Sequence, residues 1–345
     1  MAWKSRAAVY VEKDVLEFQE VTIGDLKPDE VLLKVLLCGV CGTDLHLFHG
    51  EVPLAKPPVV LGHEIVAEVV EMGVAVKDLT PGQRVAVDPV VPCGHCEFCQ
   101  SGRPNLCPNM RNMGYHMTGG YTQYTVATRE RLFPLRDDMP LKAGALVEPL
   151  ACVVRGYERL QASAGSKVLI LGAGPIGLLW NQMLQGVEGA EITQVDVVSE
   201  RAEVAGRLGA THAFAVKKGQ IGRAVRDVSP DGFDVVVDAT GDPSAVQEGF
   251  GLVRPGGTLM LFGVSPEDGR VTISPYEVFL KELTILGAKM PPFTFPQAVR
   301  VLESGKIDAE TIVSHVLPLA DLPEAFEMFE KGKDKVLKMA IDPWA

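Results

Sequence analysis

The chain has 345 residues, 47% of them hydrophobic and 22% charged, with a formal net charge of −11. That length suits about two domains with cores large enough to need no disulfide staples, and a broad acidic balance repels phosphate backbones, which argues against nucleic acid as a partner. Seven cysteines, an odd number in tight clusters, oppose a secreted disulfide framework and point to metal in a reducing compartment.

In chain order, the N-terminal run Ala7 to Val11 is too short for a signal-peptide core. With Val31 to Leu37, Ile65 to Val70 and Arg84 to Val87 it reads as short strands punctuated by Pro28, Pro57-Pro58 and Pro81-Gly82, the pattern of a partly open barrel. From about Ala162 the pattern becomes strand and helix in alternation. Lys167 to Leu171, Ile192 to Val197, Thr211 to Val216, Phe233 to Ala239, Thr258 to Phe262 and Leu283 to Leu286 read as strands. Pro175 to Leu184 and Ser199 to Leu208, the latter with Ser199 as N-cap, read as helices between them. This predicts an α/β unit with a parallel, doubly wound sheet. Helices at Pro296 to Ser304 and Leu322 to Glu330 and a last strand, Val336 to Ile341, are expected to return to the first domain. The longest apolar-rich run, Val168 to Leu184, carries three glycines and a proline and falls short of a membrane span. A soluble, cytoplasmic protein with no membrane partner is the expectation.

Lys167 to Leu171 runs into Gly172-Ala-Gly174-Pro175-Ile176-Gly177. In such a strand–turn–helix the first glycine allows the turn, the second lets a pyrophosphate approach, and the third lets the helix pack on the sheet. Asp196, 19 residues beyond Gly177 at the end of the second strand, is placed to bind ribose hydroxyls, which favours NAD over NADP. Arg201 is a candidate to stack on the adenine or to reach a 2′-phosphate, or else lies on a solvated helix face. Asp234 reads as structural.

Cys93-x-x-Cys96-x-x-Cys99 followed by Cys107 offers four thiolates for a closed, structural tetrahedral zinc. An iron–sulfur site or scattered buried thiols are the alternatives, and His95 is expected to be exposed. Cys41, His63, Glu64 and Glu148 are candidate ligands of a second, catalytic zinc, which needs three protein ligands and an open position. Taken singly, each is an ordinary residue.

In order, Gly39-Val40-Cys41-Gly42-Thr43-Asp44-Leu45-His46, Gly62-His63-Glu64, the four-cysteine lobe, Glu148-Pro149-Leu150 and the Gly172 motif resemble the zinc-containing medium-chain alcohol dehydrogenase family over essentially the full length. Glu148-Pro149-Leu150 resembles its sorbitol and polyol dehydrogenase branch and the nearby threonine and butanediol dehydrogenases. The resemblance implies a GroES-like catalytic domain (1–155 and 290–345) and a Rossmann cofactor domain (156–289). It implies that Cys41 and His63 bind the catalytic zinc, that Glu64 is either a direct ligand or sits just behind the metal, and that Glu148 is either a ligand or holds the metal-bound water. Asp44 would orient the histidine, Thr43 would take the substrate proton, and His46 would pass that proton to solvent. Phe262, Val264 and Ala288 match cofactor contacts. Cys38, three residues before Cys41, reads as core. Phe48, His49, Tyr115, His116 and Tyr121 are candidates to line the substrate site. The expected activity is zinc-dependent hydride transfer from a secondary alcohol of a polyol or diol to NAD, giving a ketone. L-Threonine or 2,3-butanediol dehydrogenation is the alternative. The expected partner is a small-molecule alcohol, and the expected assembly a homo-oligomer, tetramer or dimer.

Overall fold

In the computed structural model the described residues are 3–52, 54–160, 162–332 and 336–345. The chain opens with β1 (Trp3–Glu12), β2 (Val15–Ile23), β3 (Glu30–Gly39), α1 (Gly42–Phe48), β4 (Val59–Val60), β5 (Glu64–Met72), β6 (Arg84–Val87) and β7 (Val90–Val91). A short α2 (Glu97–Gln100), β8 (Arg111–Asn112), β9 (Tyr124–Thr128), β10 (Leu132–Pro134), α3 (Leu141–Ala145) and α4 (Val147–Leu160) follow. Strand and helix then alternate: β11 (Lys167–Leu171), α5 (Pro175–Leu184), β12 (Glu191–Asp196), α6 (Ser199–Arg207), β13 (His212–Ala215), α7 (Ile221–Val225), β14 (Phe233–Asp238), α8 (Pro243–Gly251), β15 (Val253–Leu261), α9 (Pro275–Leu280) and β16 (Thr284–Gly287). The chain closes with α10 (Phe295–Glu303), α11 (Ala309–Ile312), β17 (Val313–Pro318), α12 (Leu322–Lys331) and β18 (Lys338–Asp342).

These elements form two compact units, 1–151 with 291–345, and 152–290. In the first, one sheet has the order β10-β6-β5-β3-β18-β17 with β9 also on β3, beside a β2-β1-β4 sheet and a β7-β8 pair. The alternation of buried and half-buried residues along β3 and β5 lets one face pack into a core that includes Leu33, Val35, Ile65, Tyr121 and Phe326. β2 was not foreseen because most of its side chains are exposed, so no apolar face marks it.

In the second unit six parallel strands take the order β13-β12-β11-β14-β15-β16. Counted within the unit this is 3-2-1-4-5-6, the order of a dinucleotide-binding sheet. Strands buried on both faces read as unbroken apolar runs, as β11 does. One local expectation fails: α6 starts at Ser199 itself, with Val198 in the capping position. Ser199 Oγ donates to Glu200 Oε2 at 2.9 Å instead, and the Val198 N–H is held by Asp196 Oδ1 at 2.8 Å.

Candidate active site

The four cysteines of the lobe come from successive tight turns. Cys93 follows β7, Cys96 precedes α2 and Cys99 lies in it, and Cys107 follows a 3₁₀ turn, Pro104–Leu106. All four sulfurs lie within 4.8 Å of one another. Tetrahedral metal–sulfur bonds of about 2.3 Å space the sulfurs about 3.8 Å apart, and the Cys96–Cys99 and Cys93–Cys99 separations are 3.4 and 4.0 Å. The backbone N–H of His95, then that of Cys96, hold the Cys93 thiol down to about 6, whereas burial and the neighbouring thiols push Cys99 up to about 12, so without a metal the cluster shares its protons rather than holding four thiolates. The donors present fit a closed thiolate zinc site. His95 is exposed and its Nδ1 faces Cys93 O at 2.8 Å.

A second cluster is built in the β3–β5 region. Cys41 caps α1, His63 precedes β5, and Glu64 is the first residue of β5. Their ligand atoms also lie within 4.8 Å of one another. His63 and Glu64 are buried, a placement that is costly for polar groups unless partnered. Each has its partner. His63 Nδ1 is 3.0 Å from Asp44 Oδ1, and Asp44 Oδ2 accepts the Tyr121 hydroxyl at 2.7 Å and the Cys41 N–H at 3.1 Å. Burial pushes the Asp44 carboxyl up, but His63, Tyr121 and Cys41 together hold it below the usual range. With Nδ1 donating to Asp44, His63 Nε2 is the lone pair left to face a metal. Glu64 Oε1 accepts a hydrogen bond from Lys338 Nζ at 2.5 Å, while Oε2 stands at ion-pair distance from the same ammonium and accepts no hydrogen bond among the described residues, which leaves it to a metal. Gly39 makes room for the carboxylate, since a Cβ there would sit 2.0 Å from Glu64 Oε2. One sulfur, one nitrogen and one oxygen around one point fit an open zinc site. Glu148 lies in the first turn of α4, half-buried, near enough to raise both Tyr115 and Lys338 electrostatically.

Thr43 Oγ1 is 3.7 Å from Cys41 Sγ, and His46 is exposed three residues further along α1, so the two share a helix face. Glu51 Oε2 holds His46 Nδ1 at 2.6 Å. Of the residues expected to line the substrate site, Tyr115 is buried edge-on to His63, with ring centroids 5.5 Å apart. Tyr121 is instead wholly buried in the core behind Asp44. Phe48 packs between Tyr10 and Phe326, and His49 is held by Asp14 and Glu330. His116 is exposed, its Nδ1 accepting the Asn112 N–H. Cys38 is buried, as core. Lys338, Tyr121 and Glu51 were missed as members of these networks; only strand pairing and loop closure bring them in, and no local motif marks them.

In the second unit the glycine turn joins β11 to α5. Gly172 has φ +96° and a Cβ there would meet Thr240 at 2.9 Å, while a Cβ at Gly177 would lie 2.0 Å from Gly172 O. At Gly174, the N-cap of α5, a Cβ would meet nothing within 4 Å. That open space, beside the half-buried Pro175 and Ile176 and the free N–H groups of a helix start, suits a pyrophosphate. Gln194 Nε2 pins Gly172 O at 2.9 Å and is itself bonded through Oε1 to Asn181. Asp196 is buried, with Oδ2 accepting the Ala173 N–H at 2.6 Å and Oδ1 the Val198 N–H. Each carboxylate oxygen keeps a second lone pair, so the residues fit a ribose diol. Arg201 is half-buried on α6. Phe262 packs its ring edge-on against Trp180 at 5.3 Å, Val264 is 80% exposed, and Ala288 follows β16 half-buried.

Two such units, one carrying a sulfur-rich metal lobe and the other a dinucleotide turn, define a two-domain zinc-binding dehydrogenase. Residues 27–137 match the alcohol dehydrogenase GroES-like domain, and residues 175–304 match the zinc-binding dehydrogenase domain. The chain is 35% identical over 319 residues to D-arabinitol dehydrogenase 1 of Uromyces fabae, covering 91% of this chain and 90% of that protein. It superposes on a zinc-binding dehydrogenase of Sinorhizobium meliloti bound to NADP with a TM-score of 0.94 at 33% identity, covering 99% and 100% of the two chains. It superposes on the RspB alcohol dehydrogenase of Escherichia coli CFT073, complexed with NADH, with a TM-score of 0.91 at 29% identity, covering 98% and 99%. The chain belongs to the zinc-containing medium-chain alcohol dehydrogenase family, whose members use zinc and a nicotinamide cofactor. Among the described residues no helix is long and apolar enough to cross a membrane.

Proposed function

We propose that this enzyme oxidises a secondary alcohol of a polyol or diol to a ketone, with NAD as hydride acceptor. The observation that carries the reading is the convergence of Cys41, His63 and Glu64 donors, with Asp44 behind the histidine, in a chain similar to an arabinitol dehydrogenase. When bound, zinc supplies a Lewis acid that acidifies the substrate hydroxyl, and the nicotinamide supplies the hydride acceptor. Cys41, His63 and Glu64 would hold the catalytic zinc, with Glu148 beside it; Cys93, Cys96, Cys99 and Cys107 would hold the structural one. Thr43 takes the substrate proton at Oγ1 as its own hydroxyl proton leaves toward solvent, and His46, one turn further along the helix, passes that proton on. Glu51 fixes His46 by Nδ1, which leaves Nε2 to exchange with solvent. Gly172, Gly174 and Gly177 receive the pyrophosphate, and Asp196 receives the adenosine ribose. Asp196 opposes a 2′-phosphate by charge, which is the support for NAD over NADP. Phe262, Val264 and Ala288 complete the cofactor contacts. A cytoplasmic homo-oligomer, dimer or tetramer, belongs to the same reading, and the free thiols at all seven cysteines suit that compartment.

The test is NADH formation screened over polyols, 2,3-butanediol, L-threonine and simple secondary alcohols, with and without a chelator. Chelator-sensitive turnover that is fastest on a polyol or diol is the expected result. Turnover unaffected by metal removal, or confined to threonine, overturns it.

A further inference from the structure

The residue behind Glu64 is a cation, and the residue behind His63 is an anion. Lys338 Nζ lies 2.5 Å from both oxygens of Glu64, and the two side chains are 5% and 1% exposed. Three neighbouring strands build the pair. Gly39 on β3 is paired with Glu64 on β5 and with Ala340 on β18, and Lys338 shares the face of Ala340, two residues away. Gly39 has no side chain, so the Lys338–Glu64 pair fills the gap above it. A buried ion pair of this kind is weak evidence for stability, since well-packed apolar residues usually do as well. Its value is therefore sought at the centre it adjoins.

We propose that Lys338 is a positioning residue that makes Glu64 the exchangeable ligand of the catalytic metal, while Asp44 makes His63 the firm one. This rests on Cys41, His63 and Glu64 being the catalytic zinc site. A carboxylate behind an imidazole raises its basicity and strengthens it as a donor. An ammonium against a carboxylate does the opposite: Lys338 Nζ holds Glu64 Oε1 by a hydrogen bond, and its charge opposes the approach of a dication to Oε2, which accepts no hydrogen bond among the described residues. Glu64 is thus kept within reach of the metal but bound weakly. An open position, which a catalytic zinc needs, is preserved by restraining the third ligand.

The experiment follows metal release from zinc-loaded protein to a chromogenic chelator, with the catalytic metal identified as the one missing from C41S. K338M is expected to slow its release by about 10-fold or more, the range in which residues behind ligands act, and K338R to release like wild type. The visible spectrum of the cobalt-substituted enzyme should change in K338M and not in K338R. In an E64Q background the K338M slowing should largely vanish. Release from K338M as fast as wild type or faster overturns the inference, as does slowing that persists in full without Glu64. K338Q, uncharged but still a hydrogen-bond donor, carries the same expectation where K338M does not fold. If wild type holds one metal per chain and C41S does not lower it, the zinc-site reading itself has failed. If wild type holds two and K338M changes nothing, only the role of Lys338 has failed.

Discussion

Tyr121 donates its hydroxyl to Asp44 Oδ2 at 2.7 Å across 77 residues of sequence, with neither side chain exposed. The phenol thereby holds the carboxylate that holds His63. Y121F should lower stability by about 1.5–3 kcal/mol, the worth of a hydrogen bond to a charged group. It should also weaken retention of the catalytic metal, because Asp44 keeps only the Cys41 N–H on that oxygen. Denaturant midpoints and metal content after dialysis measure the two effects. Unchanged metal retention with full loss of stability would make Tyr121 a packing residue only.

The two metal clusters should separate by their effects. Wild type is expected to hold about two zinc ions per chain, from two separate ligand sets. C41S should abolish turnover with the melting temperature largely kept, since two domain cores remain. C99S should lower the melting temperature while activity per folded molecule falls much less, because a closed thiolate site contributes folding free energy. Turnover and melting curves on both variants decide it. A C41S enzyme with most of its activity would assign the catalytic metal elsewhere.

Cofactor choice should depend on Asp196. Wild type is expected to show higher kcat/KM with NAD than with NADP, and D196A to narrow or reverse that ratio. D196A also strips the Ala173 and Val198 N–H groups of their acceptor. The KM for NAD should therefore rise by more than loss of the ribose contact alone would give. A wild type that prefers NADP would shift the assignment to Arg201.

Stability should depend on pH through His49. Burial opposes its charged form, but the hydrogen bonds it donates to the Asp14 and Glu330 carboxylates raise its pKa above the ordinary 6.5. The folded protein thus binds the proton more tightly than the unfolded chain. The stabilisation is complete below 6.5 and is lost as pH rises through the raised folded value. Glu51 and Lys13 are the other charged groups beside this corner. Melting temperatures of wild type and H49Q should differ most on the acidic side of 6.5 and converge toward alkaline pH. A constant gap across that range would exclude the titration.

Much of this molecule is legible where chemistry is contiguous. The lobe cysteines fall within fifteen residues, and the glycine turn within six; loops that short bring their own donors together. The apolar runs of β11, α5 and β14 were found because parallel strands and a helix buried nearly all round carry strong apolar signals. β2 and the start of α6 escaped: one strand is mostly exposed, and the turn before the other element is set by Asp196 rather than by a capping serine.

Residue types and short spacings by themselves determined which atoms can bind zinc and where a dinucleotide turn lies, since both follow from donor chemistry and local backbone geometry. Asp44 behind His63 was expected from the family resemblance, but only the tertiary structure decided what stands behind Glu64 and behind Asp44. Lys338 reaches Glu64 across 274 residues and Tyr121 reaches Asp44 across 77; the first meeting follows from the order and pairing of strands in a sheet and the second from a loop packed onto the helix that carries Asp44, and no local pattern encodes either. Burial then adds to their weight, because an ammonium beside Glu64 and a carboxylate beside His63 are screened less there than they would be in water.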